Sequence, residues 1–135
     1  MSDAGGVTLP QTGQCQCGAV AYRLDAAPLT VYACHCHRCQ RQSGSAFGMS
    51  AIVPADAVRF VRGTPAERAE TVNGRARIAS FCAGCGSRIL NRHPGAPVVA
   101  LKPGTLDDSG WVQAAGHIWT DSAQPWTAPL RTGLC

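Results

Sequence analysis

Long hydrophobic runs, aromatic side chains and lysine are all scarce in this sequence of 135 residues. Apolar runs such as 98–101 and 89–90 are far shorter than the roughly 20 residues of a membrane-spanning helix, so no transmembrane segment is expected. The first six residues have neither a basic start nor an apolar stretch, and they therefore do not resemble a secretory signal. We expect a cytoplasmic protein.

Charge is also low, because charged residues make up 15% of the chain and the net charge is +4. Lys102 is the only lysine, and the arginines are scattered. A nucleic-acid binder usually clusters basic side chains among aromatic ones, and aromatic residues are only 6% here, so nucleic acid is not an expected partner. A hydrophobic content of 45% is enough for a core, and the length predicts a single domain over 1–135.

Helical periodicity is nearly absent, whereas the 15 glycines and 9 prolines recur at the spacing of turns between short strands. The sequence therefore predicts a mainly β protein with short helical turns at 38–43 and 54–57. A segment from 111 to 119 is expected to lie over one end of the strands. The candidate strands are 18–24, 30–33, 47–53, 58–61, 67–71, 76–79, 88–90 and 98–101.

Cysteine, by contrast, is abundant: there are eight, and seven of them form three groups with C-x-C or C-x-x-C spacing. Disulfides are rare in a reducing cytosol, so metal binding is the leading explanation, and reactive or disulfide-bonded cysteines are the alternative. The two outer groups can together form a closed, tetrahedral, structural zinc site. Its ligands would be Cys15, Cys17, Cys82 and Cys85, whereas Cys135 belongs to no group.

The middle group, Cys34, Cys36 and Cys39, supplies three thiolates and leaves a fourth coordination position open. An open position is typical of a catalytic zinc, and a thiol is a natural fourth ligand for such a soft site. Two zinc ions per chain are therefore expected. His37 is an alternative fourth ligand that would make this site structural, whereas His35 would point away from Cys34 and Cys36 on a strand.

Four motifs together resemble the family of glutathione-dependent formaldehyde-activating enzymes and centromere protein V domains, over about 13–126. They are 13–20 (GQCQCGAV), 34–47 (CHCHRCQRQSGSAF), 81–87 (FCAGCGS) and 117–126 (HIWTDSAQPW). The resemblance implies a β-tent fold, in which antiparallel sheets are joined by a structural zinc, like that of the small zinc-binding guanine-nucleotide-release factors. It also implies the same division into four structural and three catalytic cysteines.

The activity implied by this resemblance is the condensation of glutathione with formaldehyde to S-hydroxymethylglutathione, a carbon–sulfur lyase reaction run in reverse. The expected partners are then a small thiol and a small carbonyl compound. Two alternatives remain: a non-catalytic, zinc-stabilised protein-interaction module, and a thiol-based metal or redox sensor.

Several other residues are candidates for the site. Arg41 and its neighbours Arg38, Gln42 and Ser43 follow the middle cysteine group and can bind a carboxylate, unless they form only a solvated turn. His117 is either a general base or a structural, hydrogen-bonded histidine. Ser45 and Phe47 are candidates for lining the pocket, although core packing is the favoured role of Phe47. The rings of Trp119 and Trp126 are predicted to be buried against the sheet, and the alternative is an aromatic wall for a ligand.

Overall fold

Ten short strands and one α-helix form the regular structure of the protein in a computed structural model, which describes residues 6–127. The helix is α1 (His37–Ser43), and short 3-10 turns connect several strands. The strands are β1 (Gln11–Gln14), β2 (Ala21–Leu24), β3 (Thr30–Cys34), β4 (Gly48–Pro54), β5 (Val58–Arg62), β6 (Ala66–Val72), β7 (Arg75–Phe81), β8 (Arg88–Arg92), β9 (Val98–Leu101) and β10 (Gly116–Ile118). The predicted mainly β class, with antiparallel sheets, is confirmed.

The strands form two sheets. The smaller has the order β1-β2-β5, and the larger has the order β10-β3-β4-β9-β8-β7-β6. Every pairing is antiparallel except that of β10 with β3, which is parallel. Across the described part of the chain, no helix has both the length and the apolar character needed to cross a membrane.

Each of the eight predicted strands corresponds to an observed one, with ends that shift by up to three residues. The predicted turns 38–43 and 54–57 correspond to α1 and to a 3-10 turn at Ala55–Ala57. Strand β1 was not predicted, because its sequence QTGQ has no apolar alternation. The segment 111–119 contains β10, which closes one edge of the larger sheet rather than only lying over it.

One cluster of buried side chains joins the two sheets. Its fully buried members come from both of them, and the largest are Tyr22, Leu24, Val53, Ile89 and Leu101. Buried residues alternate with more exposed ones along β9, as expected for a strand with one face on a core, whereas β2 and β4 each also bury two consecutive residues. The hydroxyl of Tyr22 is satisfied by the hydroxyl of Thr105 at 2.7 Å, so the core contains a tyrosine without an unpaired polar atom.

Gly13 is the one buried residue of β1, and it lies opposite Tyr22 in the β1–β2 register. A Cβ atom at this position would collide with the Tyr22 ring and would lie 2.6 Å from the carbonyl oxygen of Thr105. Only glycine therefore lets β1 pack here and deliver Cys15 to its site.

We expect Gly13→Ala to lower the free energy of unfolding by about 2–3 kcal/mol, because overpacking a buried contact forces neighbours to move. Urea denaturation measures this directly. Gly104→Ala is the matched control, since a Cβ atom there has no neighbour within 4 Å. Equal denaturation midpoints for the two variants would contradict the packing described for β1.

Candidate metal centres and the adjoining cavity

The outer cysteines Cys15, Cys17, Cys82 and Cys85 converge at one point, where their Sγ atoms all lie within 4.8 Å of one another. Cys15 directly follows β1 of the smaller sheet and Cys82 directly follows β7 of the larger one. The Sγ atoms of Cys15 and Cys17 are 3.7 Å apart, as are those of Cys17 and Cys82. A tetrahedral zinc with ~2.3 Å bonds to sulfur needs sulfur–sulfur separations of about 3.8 Å, so these thiols fit the ion.

Hydrogen bonds to sulfur support this first cluster. The backbone N–H of Val20 donates to Cys15 Sγ at 3.3 Å. Ser87 Oγ accepts a hydrogen bond from the N–H of Gln16 at 3.0 Å and lies 3.2 Å from Cys85 Sγ, which leaves its hydroxyl proton free to point at that sulfur. The Ser87 hydroxyl, followed by nearby backbone N–H groups, lowers the pKa of Cys85 to about 5. These hydrogen bonds favour the thiolate form of Cys85, which is the form that binds metal.

Cys17 shows why the cluster is suited to a cation. A backbone N–H at Ala19 favours its thiolate, but the surrounding thiols of Cys15, Cys85 and Cys82 raise the pKa of Cys17 to about 11. Four sulfurs this close cannot all carry negative charge unless a positive ion lies among them.

The middle cysteines form a second cluster, in which the Sγ atoms of Cys34, Cys36 and Cys39 also lie within 4.8 Å of one another. Cys34 ends β3, Cys36 is the N-cap of α1, and Cys39 lies in the helix. The N–H of Cys39 donates to Cys36 Sγ at 3.4 Å, so a single hydrogen bond both caps the helix and orients the sulfur. A Cβ atom at Gly48 would be 3.2 Å from that of Cys39, and glycine therefore allows α1 to approach β4 closely.

This second cluster contains three thiols and no histidine. The ring nitrogens of His37, which is exposed at the start of α1, lie outside the group. His35 is buried, and its Nε2 atom is 2.9 Å from Nδ1 of His117. Burial, followed by the neighbouring thiols of Cys34 and Cys36, raises the pKa of Cys39 to about 12. The two clusters can hold metal ions, and the second has a free side that no described histidine closes.

A cavity of about 530 Å³ lies against this free side, on one face of the larger sheet. All three cysteines of the second cluster line it. One part of the remaining lining is apolar and comes from β3, β4, β9 and the end of β10. The other part is basic and comes from β7 and β8, where Arg75, Arg77 and Arg92 line the wall.

A second cavity, of about 700 Å³, adjoins the first and shares four lining residues with it: His37, Arg38, Cys39 and Arg77. Five arginines line it: Arg38, Arg41, Arg68, Arg77 and Arg88. Glu70 is the only carboxylate of its lining, and Arg38 Nη2 donates to Glu70 Oε1 at 2.7 Å. Although burial acts in the opposite direction, this hydrogen bond and the charges of Arg38, Arg68 and Arg77 lower the pKa of Glu70. The excess positive charge suits an anionic ligand.

Of the other residues predicted to belong to the site, some line a cavity and others lie outside both cavities. Arg41 and Gln42 line the basic cavity beside Cys39. His117 lines neither cavity. Neighbouring residues of a strand point to opposite faces, so Ile118 lines the first cavity and His117 contacts His35 on the other face of β10. Ser43 lines neither cavity and caps its own turn, its hydroxyl donating to the carbonyl oxygen of Phe47 at 3.1 Å.

Ser45 is exposed outside both cavities, and Phe47 packs against the His35 ring with centroids 5.2 Å apart. The expected burial of two tryptophan rings is wrong, since Trp119 is 65% exposed and Trp126 is 60% exposed. Exposure leaves Trp119 free to line the first cavity. Cys135 lies outside the described residues.

The basic wall was missed in the sequence, where its arginines look scattered. Arg75 and Arg77 stand two positions apart on β7 and therefore share one face of the sheet. Arg88 comes from β8, and its Nη1 atom donates to the buried Asn91 Oδ1 at 2.8 Å. The period-two spacing on β7 was the available signal, but it does not show that this face is the one that carries Cys34.

Fold and site together define a small, mainly β protein with two thiol clusters arranged for metal binding. The family model described as "Glutathione-dependent formaldehyde-activating enzyme" matches residues 10–122. The chain therefore belongs to this family, as its motifs indicated. A crystal structure of a Rhodobacter sphaeroides protein from structural genomics shares the fold, with a TM-score of 0.59 and 20% sequence identity over 78% of this chain and 98% of that one.

Proposed function

We propose that this chain is a zinc-dependent enzyme of the carbon–sulfur lyase type. It adds glutathione or a similar thiol to a small aldehyde such as formaldehyde, or catalyses the reverse reaction. The observation that carries this proposal is the incomplete three-thiol cluster facing a cavity. A protein that used both clusters only as scaffold would have no need of a free coordination side next to a cavity. Membership of the family supports the same reaction class.

We assign two zinc ions to the chain. Cys15, Cys17, Cys82 and Cys85 would hold the structural ion, whose four sulfurs leave no open position. Cys34, Cys36 and Cys39 would hold the catalytic ion, whose positive charge lowers the pKa of a bound thiol when the ion is present.

The chemistry needs no oxidant or reductant. The thiolate sulfur attacks the carbonyl carbon, a carbon–sulfur bond forms, and the π electron pair of the C=O bond moves to oxygen, which takes a proton from water. In the reverse direction the hydroxyl loses its proton and the carbon–sulfur bond breaks. The chain holds the two reactants at the free side of the cysteine cluster, which removes most of the entropic cost of their encounter.

The basic residues around the cluster would bind the thiol substrate. Glutathione carries carboxylates, and Arg38 and Arg77 line both cavities next to Cys39. Guanidinium groups bind carboxylates with two parallel hydrogen bonds, which fixes orientation as well as position. Arg41 would extend this surface from α1, whereas His117 would act only through its contact with His35.

Cobalt substitution tests the proposal. Adding glutathione to the cobalt protein is expected to strengthen the sulfur-to-metal charge-transfer absorption, because a further thiolate joins the three-cysteine cluster. The same sample should accelerate formation or breakdown of S-hydroxymethylglutathione, followed by NMR. S-methylglutathione is the control ligand, since it has no free thiol. If no small thiol changes the spectrum, the enzyme proposal is wrong and a non-catalytic zinc module replaces it.

A further inference from the structure

The cavity beside Cys34, Cys36 and Cys39 is divided into a basic part and an apolar part. The apolar part is formed by Tyr32, Ile52, Val98, Ile118 and Trp119. Its members are neighbours in the sheet: Tyr32 lies two positions before Cys34 on β3, and Ile118 is paired with Cys34 in the β10–β3 register. The apolar part therefore begins at the cysteine cluster itself.

Trp119 is held at the rim of this apolar part in an unfavourable backbone conformation. It has φ +56°, in the left-handed region that residues other than glycine rarely adopt, and the residue is 65% exposed. The segment that follows is tied to α1, because Gln40 Nε2 donates to the carbonyl oxygens of both His35 and Ser122. Strained residues cluster at functional sites, and Trp119 is both strained and part of the cavity lining, which makes it a candidate ligand contact.

Formaldehyde and glutathione do not account for this apolar part. Formaldehyde has only hydrogen atoms on its carbonyl carbon, and glutathione is a polar, charged peptide whose carboxylates suit the basic part. An apolar surface next to the reacting sulfur is suited to a substituent on the carbon that this sulfur attacks. Burial of that substituent would remove both it and the exposed tryptophan face from water.

We infer that the carbonyl substrate is an aldehyde that carries an apolar chain or ring, which binds against Trp119 and Ile52. The inference rests on the proposed function and names the class of its second substrate. The reaction is the same addition: the sulfur–carbon bond forms, the C=O π bond breaks, and oxygen takes the proton. The adduct is a thiohemiacetal with its apolar group in the apolar part and its carboxylates in the basic part of the cavity.

S-alkylglutathiones test the inference, because their alkyl group occupies the place of the aldehyde carbon and its substituent. Calorimetric titration of the zinc-loaded protein with the S-methyl, S-propyl and S-hexyl compounds is expected to show affinity rising about fourfold per added methylene, as for a buried apolar chain. Trp119→Ala is expected to reduce this dependence on chain length. Trp126→Ala is the matched control, since Trp126 is 60% exposed but does not line the cavity. This control should retain the wild-type dependence of affinity on chain length.

Equal affinities across the series for the wild-type protein would overturn the inference, as would an unchanged chain-length dependence in Trp119→Ala. The two proposals fail separately. A flat series together with a glutathione-sensitive cobalt spectrum rejects the apolar aldehyde and retains the thiol-adding enzyme. A rising series with no response of cobalt to any thiol rejects the enzyme and leaves an apolar ligand site.

Discussion

Cys82→Ser is expected to unfold the protein under conditions in which the wild-type chain is folded. The Cys82 side chain is 2% exposed and lies where the end of β7 meets Cys15, which follows β1, so its sulfur joins the two sheets through the proposed structural zinc. Metal binding at a four-thiolate site contributes about 10 kcal/mol or more to folding. That is comparable with the whole stability of a domain, about 5–15 kcal/mol. Thermal melting followed by circular dichroism measures the loss.

Cys135→Ser is the matched control, because Cys135 stands apart from the three cysteine groups of the sequence. This control should melt at the wild-type temperature and keep its full metal content. Adding a strong chelator to the wild-type protein should reproduce the effect of Cys82→Ser. A folded Cys82→Ser variant with wild-type melting would show that the four thiols are not a structural metal site.

Cys36→Ser is expected to lose one metal ion and all catalysis while the fold survives. Two remaining thiolates bind zinc poorly, whereas the four-cysteine cluster still joins the sheets. Serine is also a good N-cap, so α1 keeps its first hydrogen bond and the substitution isolates the loss of the metal ligand. Metal analysis of the purified variant should give about one zinc per chain, by this two-site argument.

His37→Ala distinguishes an open second site from a closed one. The ring nitrogens of His37 lie outside the three-thiol group, so this variant should retain both metal ions and the wild-type melting temperature. Loss of the second ion in His37→Ala, or global unfolding of Cys36→Ser, would instead mean that the second site is closed and structural.

Most of the strands were predictable because glycine or proline flanks them and they contain a short apolar stretch, although β6 (AERAETV) has no such stretch. The exceptions show the limit of that signal. Gly13 is the only buried residue of β1, and the place of this strand in the sheet depends on how Tyr22 packs against Gly13, which no local pattern reveals. Strand β10 is three residues long and pairs in parallel with β3, a strand more than 80 residues earlier in the chain.

The membership of both thiol clusters was predictable too, because chelating pairs lie two or three residues apart and cannot reach different sites. Which pairs combine across the chain also followed, since two pairs complete a tetrahedron whereas three cysteines leave one side open. The residues that surround the clusters could not be predicted in the same way. His117 was a candidate for the site, but strand alternation turns it toward His35, and Ile118 faces the cavity in its place.

The sequence by itself therefore determined the β class, the family motifs and the chelating cysteine pairs, because each is encoded in residues close together along the chain. That the pairs at 15/17 and 82/85 combine followed from the four ligands that a tetrahedral zinc needs. Only the tertiary structure decided that Arg38 of α1 and Arg77 of β7 form one basic surface with Cys39, and that Trp119 lies at the opposite, apolar part of the cavity. Those neighbours are far apart in sequence. The physical reason is that sheet register and the packing of α1 on β4 bring them together, and both depend on long-range contacts that have no local signal.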